Sequence, residues 1–165
     1  MGFASLGSGS RGNGTLVFLG EKLFLVDCGF SLKQAEKRLA RLGVSGGDID
    51  GIFVTHEHAD HISGVVPFSH KYKIPIYASF GTAKSLGKGG DLRCFDGDKK
   101  FELEGIWVNP VSVPHDAREA TQFTFSFKDE CVGVLSDLGF VTDHVIEQFG
   151  PCNQLLLKQI TMKTY

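Results

Sequence analysis

Residues 55–61 read Thr55-His56-Glu57-His58-Ala59-Asp60-His61. Three histidines and an aspartate fall within six positions. At this chain's His and Asp frequencies, H-x-H-x-D-H arises by chance in roughly one chain in two thousand of this length. The run before it, Gly51-Ile52-Phe53-Val54-Thr55, is apolar and of strand length. Side chains at the end of a buried strand stand on a rigid base, and a loop there can aim several of them at one point. Imidazole suits Zn²⁺ and its neighbours, and carboxylate adds charge and tolerates Mn or Fe. His56 and His58 are two residues apart and point the same way in an extended loop. Asp60 and His61 are adjacent and project differently, so one loop can serve two metals.

One loop cannot complete two sites, and partners are expected at later strand ends. His115 follows the run Val111-Ser112-Val113-Pro114, and Asp137 lies in Val134-Leu135-Ser136-Asp137-Leu138-Gly139. Taken alone, either is a capping or turn residue. Beside the 55–61 cluster they become the third histidine and the bridging carboxylate of a two-metal site. His70 and His144 read as surface residues.

Outward from this loop the chain alternates helices and strands, then turns to strands. Thr15–Leu19 and Leu23–Val26 read as a hairpin. Ser31 caps a helix carrying Leu32, Ala35, Leu39 and Leu42 on one stripe, and Gln34 completes a capping box. Lys33, Lys37, Arg38 and Arg41 form its solvated face. Ile62–Phe68 starts a helix, Ile74–Ala78 is a strand, and Pro75 puts that strand near an edge or marks its beginning. Ala83–Leu86 reads as a short helix. Leu92–Phe95, Phe101–Leu103, Ile106–Val113, Gln122–Phe127 and Val132–Leu135 read as strands, Asp143–Phe149 as a helix and Leu155–Leu157 as a buried strand. The class is α/β or α+β, built on sheets with covering helices.

The chain has 165 residues, a net charge of −2 and 42% hydrophobic residues, which suits one domain with a real core. No apolar run approaches the ~18 residues of a transmembrane helix. The N-terminus runs directly into a Gly/Ser loop and lacks a signal peptide's pattern, so a cytoplasmic protein is expected. The charge balance does not by itself demand nucleic acid. Glycine, 21 residues, is nearly twice its usual ~7% and marks tight connections. Cys28, Cys94, Cys131 and Cys152 form no C-x-x-C pair and are expected as reduced, mostly buried thiols.

The sequence resembles the metallo-β-lactamase fold superfamily, whose His-x-His-x-Asp-His motif is matched by His56, His58, Asp60 and His61. The family's later His and Asp are matched by His115 and Asp137. Within it the chain is most similar to the WalJ/YycJ-type hydrolases. That likeness rests on residues 3–13, Val26-Asp27-Cys28-Gly29, Pro114-His115-Asp116-Ala117 and Ser136-Asp137-Leu138-Gly139, and it runs to about residue 157. The resemblance implies an αββα sandwich with two divalent metals, Zn or Mn, at one edge. His56, His58 and His115 would hold the first, Asp60 and His61 the second, and Asp137 would bridge. It implies a metal-dependent nuclease, a 5′→3′ exonuclease acting on DNA, with no membrane and no protein partner. A metal pair about 3.5–4 Å apart activates a water and clamps the attacking and leaving oxygens of a phosphodiester. Asp60 is the catalytic candidate, orienting that water. Ser8, Ser10 and Asn13 lie in a Gly-rich loop whose backbone N–H groups suit a phosphate. Ser10 and Asn13 are the expected substrate contacts, and Asp27 is expected to brace the ligand loop. The same ligands would serve a thioester or lactone hydrolase, or an inactive metal-binding module.

The resemblance also implies one more histidine, in an Asn-His segment after a strand such as Leu155–Leu157. Here the chain reads Lys158-Gln159-Ile160-Thr161-Met162-Lys163-Thr164-Tyr165. A one-base insertion after the Leu157 codon permits Glu-Ala-Asn-His-Asp-Glu-Asp-Leu in the other frame. The expectation is therefore a domain over residues 1–157, incomplete at its C-terminus, and an aberrant, frameshifted tail at 158–165. Reading the coding DNA decides it. Such a chain should hold its second metal weakly, expose apolar sheet surface, purify poorly and turn over little.

Overall fold

The computed structural model describes residues 1–158. Two sheets face each other. The first contains β1 (Gly2–Gly7), β2 (Gly14–Leu19), β3 (Lys22–Val26), β4 (Gly51–Phe53), β5 (Pro75–Ser79) and β6 (Asp91–Phe95), in that spatial order. Its first three strands run antiparallel and β3 to β6 are parallel. The second contains β7 (Phe101–Leu103), β8 (Ile106–Ser112), β9 (Thr121–Phe127), β10 (Glu130–Leu135) and β11 (Gln154–Leu157). It is antiparallel except for the β10–β11 pair.

The parallel strands need crossovers, and helices supply them. α1 (Leu32–Ala40) joins β3 to β4, while α2 (Ala59–Ile62) and α3 (Val65–Tyr72) join β4 to β5. α4 (Phe80–Ala83) precedes β6, and α5 (Asp143–Phe149) joins β10 to β11. Side chains alternate across each strand, so β4 sends Ile52 toward the helices and Phe53 toward the other sheet. One apolar cluster packs Leu16, Leu25, Ile52 and Ile76 against Ala35, Leu39, Val65 and Phe68 of α1 and α3. A second lies between the sheets, where Val17, Phe24, Val26 and Phe53 meet Val108, Phe123, Phe125 and Val134. Phe53 is fully buried at its centre. It stacks on Tyr77 with centroids 4.7 Å apart and meets Phe24, Phe123 and Phe125 edge-on at 5.1–5.4 Å. A third, smaller cluster seats Val145 and Phe149 of α5 on Val111 and Leu135. The layers are helix, sheet, sheet, helix, which is the expected αββα sandwich.

Several local readings need correction. Gly2–Gly7, to which the sequence assigned no element before the Gly/Ser loop, forms β1, because pairing with β2 overrides its local composition. Pro75 does mark the beginning of its strand, β5, which lies one strand in from the edge. The expected helix at 62–68 is two helices, and the one expected at 83–86 begins earlier, capped by Ser79. Ser31 caps α1 by accepting from the Gln34 N–H, but only this half of the expected box forms. Arg38 leaves the solvated face: it donates to the Leu6 carbonyl at 2.7 Å and lies over the Phe30 ring. Of the cysteines only Cys28 is buried, and Cys94 is exposed. The expected tail falls, Lys158 apart, outside the described residues.

Candidate metal centre

The ligand loop leaves β4 at the C-terminal end of the parallel strands and enters α2. Three loops are laced together there by backbone hydrogen bonds. The Asn13 N–H donates to the Asp60 carbonyl (2.8 Å), the Cys28 N–H to the His61 carbonyl (2.9 Å) and the Gly64 N–H to the Cys28 carbonyl (2.8 Å). The approach is so close that a Cβ on Gly29 would stand 1.6 Å from the Asp60 carbonyl oxygen. Glycine is therefore required at 29 by contact alone. The Thr121 N–H donates to the Thr55 carbonyl (2.9 Å), which ties the start of β9 to the ligand loop.

Asp27 ends β3 in the left-handed region, φ 62°, which aspartate tolerates better than most residues. Its carboxylate accepts from the Thr55 N–H (2.8 Å) and hydroxyl (2.7 Å) and lies 2.7 Å from His61 Nδ1. This is the expected brace. It leaves His61 Nε2 aimed at the centre, the arrangement by which a carboxylate orients a ligating imidazole. His56 Nδ1 lies 2.9 Å from the Thr55 hydroxyl, so His56 Nε2 also faces inward.

The structure brings all six expected ligands to one place. His56 Nε2 lies 3.0 Å from His58 Nδ1 and 3.2 Å from His115 Nε2. Asp137 Oδ2 lies 2.7 Å from His61 Nε2 and 3.8 Å from His56 Nε2. Asp60 Oδ2 lies 3.7 Å from His61 Nε2. Among the described residues two groups could each hold a metal ion: His56, His58 and His115, and His56, His61 and Asp137.

The donor set fits a divalent cation. Three imidazole nitrogens converge, and among the described residues no lysine or arginine hydrogen-bonds to them. His61 Nε2 is buried without an aligned hydrogen-bond partner, although it sits within ion-pair distance of Asp137. Burial, and then the charge of His61, push His56 down to about 4, and burial also lowers His115. Both are thus neutral donors at neutral pH. Burial works against charge on His61 too, but the Asp27 and Asp137 carboxylates outweigh it and raise it to about 10. Burial likewise opposes the Asp137 carboxylate, yet His61 and Lys158 hold its carboxyl well below the usual range. A metal therefore competes with a proton at His61.

Of the two expected substrate contacts, Ser10 is exposed on its loop and Asn13 is buried. The Asn13 amide donates to Asp60 Oδ2 (2.9 Å) and the Gly9 carbonyl (3.0 Å), and it accepts from the Gly9 N–H (3.0 Å). It is committed to protein partners. Ser8 is exposed as well. A cavity of about 540 Å³ lies beside the centre, lined by Asn13, Asp27 and Lys158 and walled by β1 and β10 residues.

Sequence reading missed the supports of the two downstream ligands. Gln122 is fully buried. It accepts from the Ser136 N–H (2.8 Å) and donates to the Asp137 carbonyl (3.1 Å). Glu57 accepts from the Arg118 N–H (2.8 Å), which fixes the His115 loop to the ligand loop. The available signal for Gln122 was a long polar side chain opening an otherwise core-facing strand.

Facing sheets, outer helices and a His/Asp cluster at the strand ends define a metal-binding αββα sandwich. The chain belongs to the Metallo-beta-lactamase superfamily, which residues 7–144 match. It is 34% identical over 157 residues to "Exodeoxyribonuclease YycJ" of Bacillus anthracis, covering 87% of this chain and 56% of that protein. It is 33% identical over 151 residues to "Exodeoxyribonuclease WalJ" of Streptococcus pneumoniae serotype 2, with the same coverages. The chain thus spans about half the length of the curated relatives it matches. Among solved structures it is similar to a diphosphatase from the PhnP family. The TM-score is 0.73 at 23% identity, over 93% of this chain and 72% of that one.

Proposed function

We propose that this chain carries the metal centre of a metal-dependent phosphodiesterase, a 5′→3′ DNA exonuclease working in the cytoplasm. The observation that carries this reading is the convergence of His56, His58 and His115 nitrogens on one point, with Asp137 between them and His61. The names of the two bacterial relatives support a nucleic-acid substrate, and among the described residues no helix is long and apolar enough to cross a membrane.

In this reading His56, His58 and His115 would hold one ion, Asp60 and His61 would hold a second, and Asp137 would serve both. When bound, Zn or Mn supplies Lewis acidity toward a phosphodiester and acidifies water. The protein's own groups do the rest. Asp27 and Thr55 hold His61 and His56 in the tautomers that present Nε2 to the centre. Asn13 grips Asp60 Oδ2 and leaves Oδ1 to orient the attacking water and take its proton. The exposed Ser8 lines the cavity, with Ser10 two residues on in the same loop, and a phosphate of the departing strand can be met there by hydroxyl and backbone donors.

The test is digestion of a 5′-phosphorylated, 3′-labelled DNA strand with Mn²⁺ or Zn²⁺ by wild type, His58→Ala and Asp137→Ala. Wild type should shorten the strand from its 5′ end, and both variants should fall to background. RNA, thioester and lactone substrates run in parallel. Turnover of a thioester or lactone without DNA cleavage would overturn the nuclease reading, and unimpaired variants would remove the metal mechanism.

A further inference from the structure

We propose that the Lys158 ammonium occupies the cation position beside Asp137 and Asn13, so the centre binds one divalent ion tightly and a second only by displacing Lys158. This rests on reading the cluster as a metal centre. Lys158 Nζ lies 3.1 Å from Asp137 Oδ1 and 2.7 Å from Asn13 Oδ1, and the Lys158 and Asp137 side chains are each only 21% exposed. Its place is set by the sheet. The Lys158 N–H donates to the Leu135 carbonyl at 3.0 Å, which carries the β10–β11 ladder one residue further, to the level of the centre.

The two oxygens of Asp137 are divided between two cation positions. Oδ2 faces His61 and, further off, His56, and Oδ1 faces Lys158. Asn13 completes the link: its Nδ2 donates to Asp60 Oδ2 while its Oδ1 accepts from Lys158. The ammonium therefore engages Asp137, which the second ion would share, and the Asn13 amide that holds Asp60, a second of its ligands. A divalent ion there meets like charge at short range and finds one of its oxygens already engaged. Among the described residues no lysine or arginine hydrogen-bonds to the three-histidine group, so the two positions are unequal. Displacement remains open to Lys158, because its four-carbon stem is flexible and it lines the 540 Å³ cavity into which it can swing.

The test is metal content. Wild type, Lys158→Met and Lys158→Gln are loaded with excess Zn²⁺, desalted and measured by elemental analysis, and the second binding step is followed by calorimetry. Thermal melts of the metal-free proteins verify folding of both variants. Wild type should retain one equivalent. Both variants should bind the second ion more tightly, with its dissociation constant lower by about tenfold or more, the scale on which neighbours of metal ligands act. Two equally tight equivalents in wild type, or a second step unchanged in both variants, would overturn the role of Lys158 and leave the metal centre standing. Absence of any retained metal in wild type would overturn the centre itself, and this inference with it.

Discussion

The two sheets solve the same problem differently. In the first, both faces are apolar. Ile52 and Phe53 are adjacent, both fully buried, one under the helices and one between the sheets. In the second, Phe123 and Phe125 face inward, while Thr124 and Ser126 alternate with them on the outer face. α5 covers the part of that face carrying Val111 and Leu135 and reaches Asn109 through Gln148. The expected bare apolar sheet is thus confined to a margin. Ile146 on α5 and Leu155 and Leu157 on β11 stay substantially exposed, as does Trp107 on β8, whereas Asn109, Thr124 and Ser126 beside Trp107 are polar. A strand's pattern therefore reports how many layers cover it. The contrast extends to the site. The first sheet supplies four candidate ligands from one continuous loop, and the second supplies one each from the ends of β8 and β10.

The largest way to break this comparison is Phe53→Ala, at the junction where the sheets meet. It should cost about 3–5 kcal/mol in a urea melt. A loss under about 1 kcal/mol would mean the inter-sheet cluster does not hold the halves together. Next is Asp27→Asn, which removes the brace between β3 and the ligand loop. Metal retention against a chelator should weaken by about 10–100-fold, and retention equal to wild type would separate the brace from the centre.

A smaller effect belongs to the second half. Asp98 accepts from the Ser112 N–H (2.9 Å) and lies 2.8 Å from His144 Nε2 on α5. Burial opposes its charge, but these partners outweigh it and hold its carboxyl below the usual range. The folded chain thus keeps this carboxylate ionised to lower pH than the unfolded chain does. Its stabilisation is present above about pH 4 and is lost as pH falls below that. Because the pair is largely exposed, Asp98→Ala should cost at most about 1 kcal/mol at pH 7. Melts at pH 7 and pH 3 should show the difference shrink at the lower value. The smallest effect is at the exposed margin: Ile146→Ser on the outer side of α5 should change stability by no more than about 0.5 kcal/mol. It should also raise the concentration at which light scattering detects aggregates.

Much of the fold was legible locally. The β2–β3 hairpin, the edges of β7 and the span of α5 follow from apolar periodicity and turn residues within a few positions of one another. β1 was not legible, because its glycine- and serine-rich stretch becomes a strand only through its partner. The α2–α3 break was hidden for a related reason. α2 begins inside the ligand loop, where the needs of the cluster set the backbone more than helix propensity does.

The site divides along the same line. His56, His58, Asp60 and His61 announce themselves, since four donors within six residues on a strand end need no knowledge of packing. His115 and Asp137 could be named only as candidates beside that cluster. Gln122, Glu57 and Lys158 could not be named, because nothing near them in sequence signals what they touch. Sequence by itself determined the donor types, the strand periods and the caps, which depend on neighbours a few residues away. Tertiary structure decided which strand ends meet, that the Asn13 amide turns inward, and that a lysine stands beside the bridging aspartate. Those outcomes come from pairing strands far apart in the chain, and no local pattern encodes them.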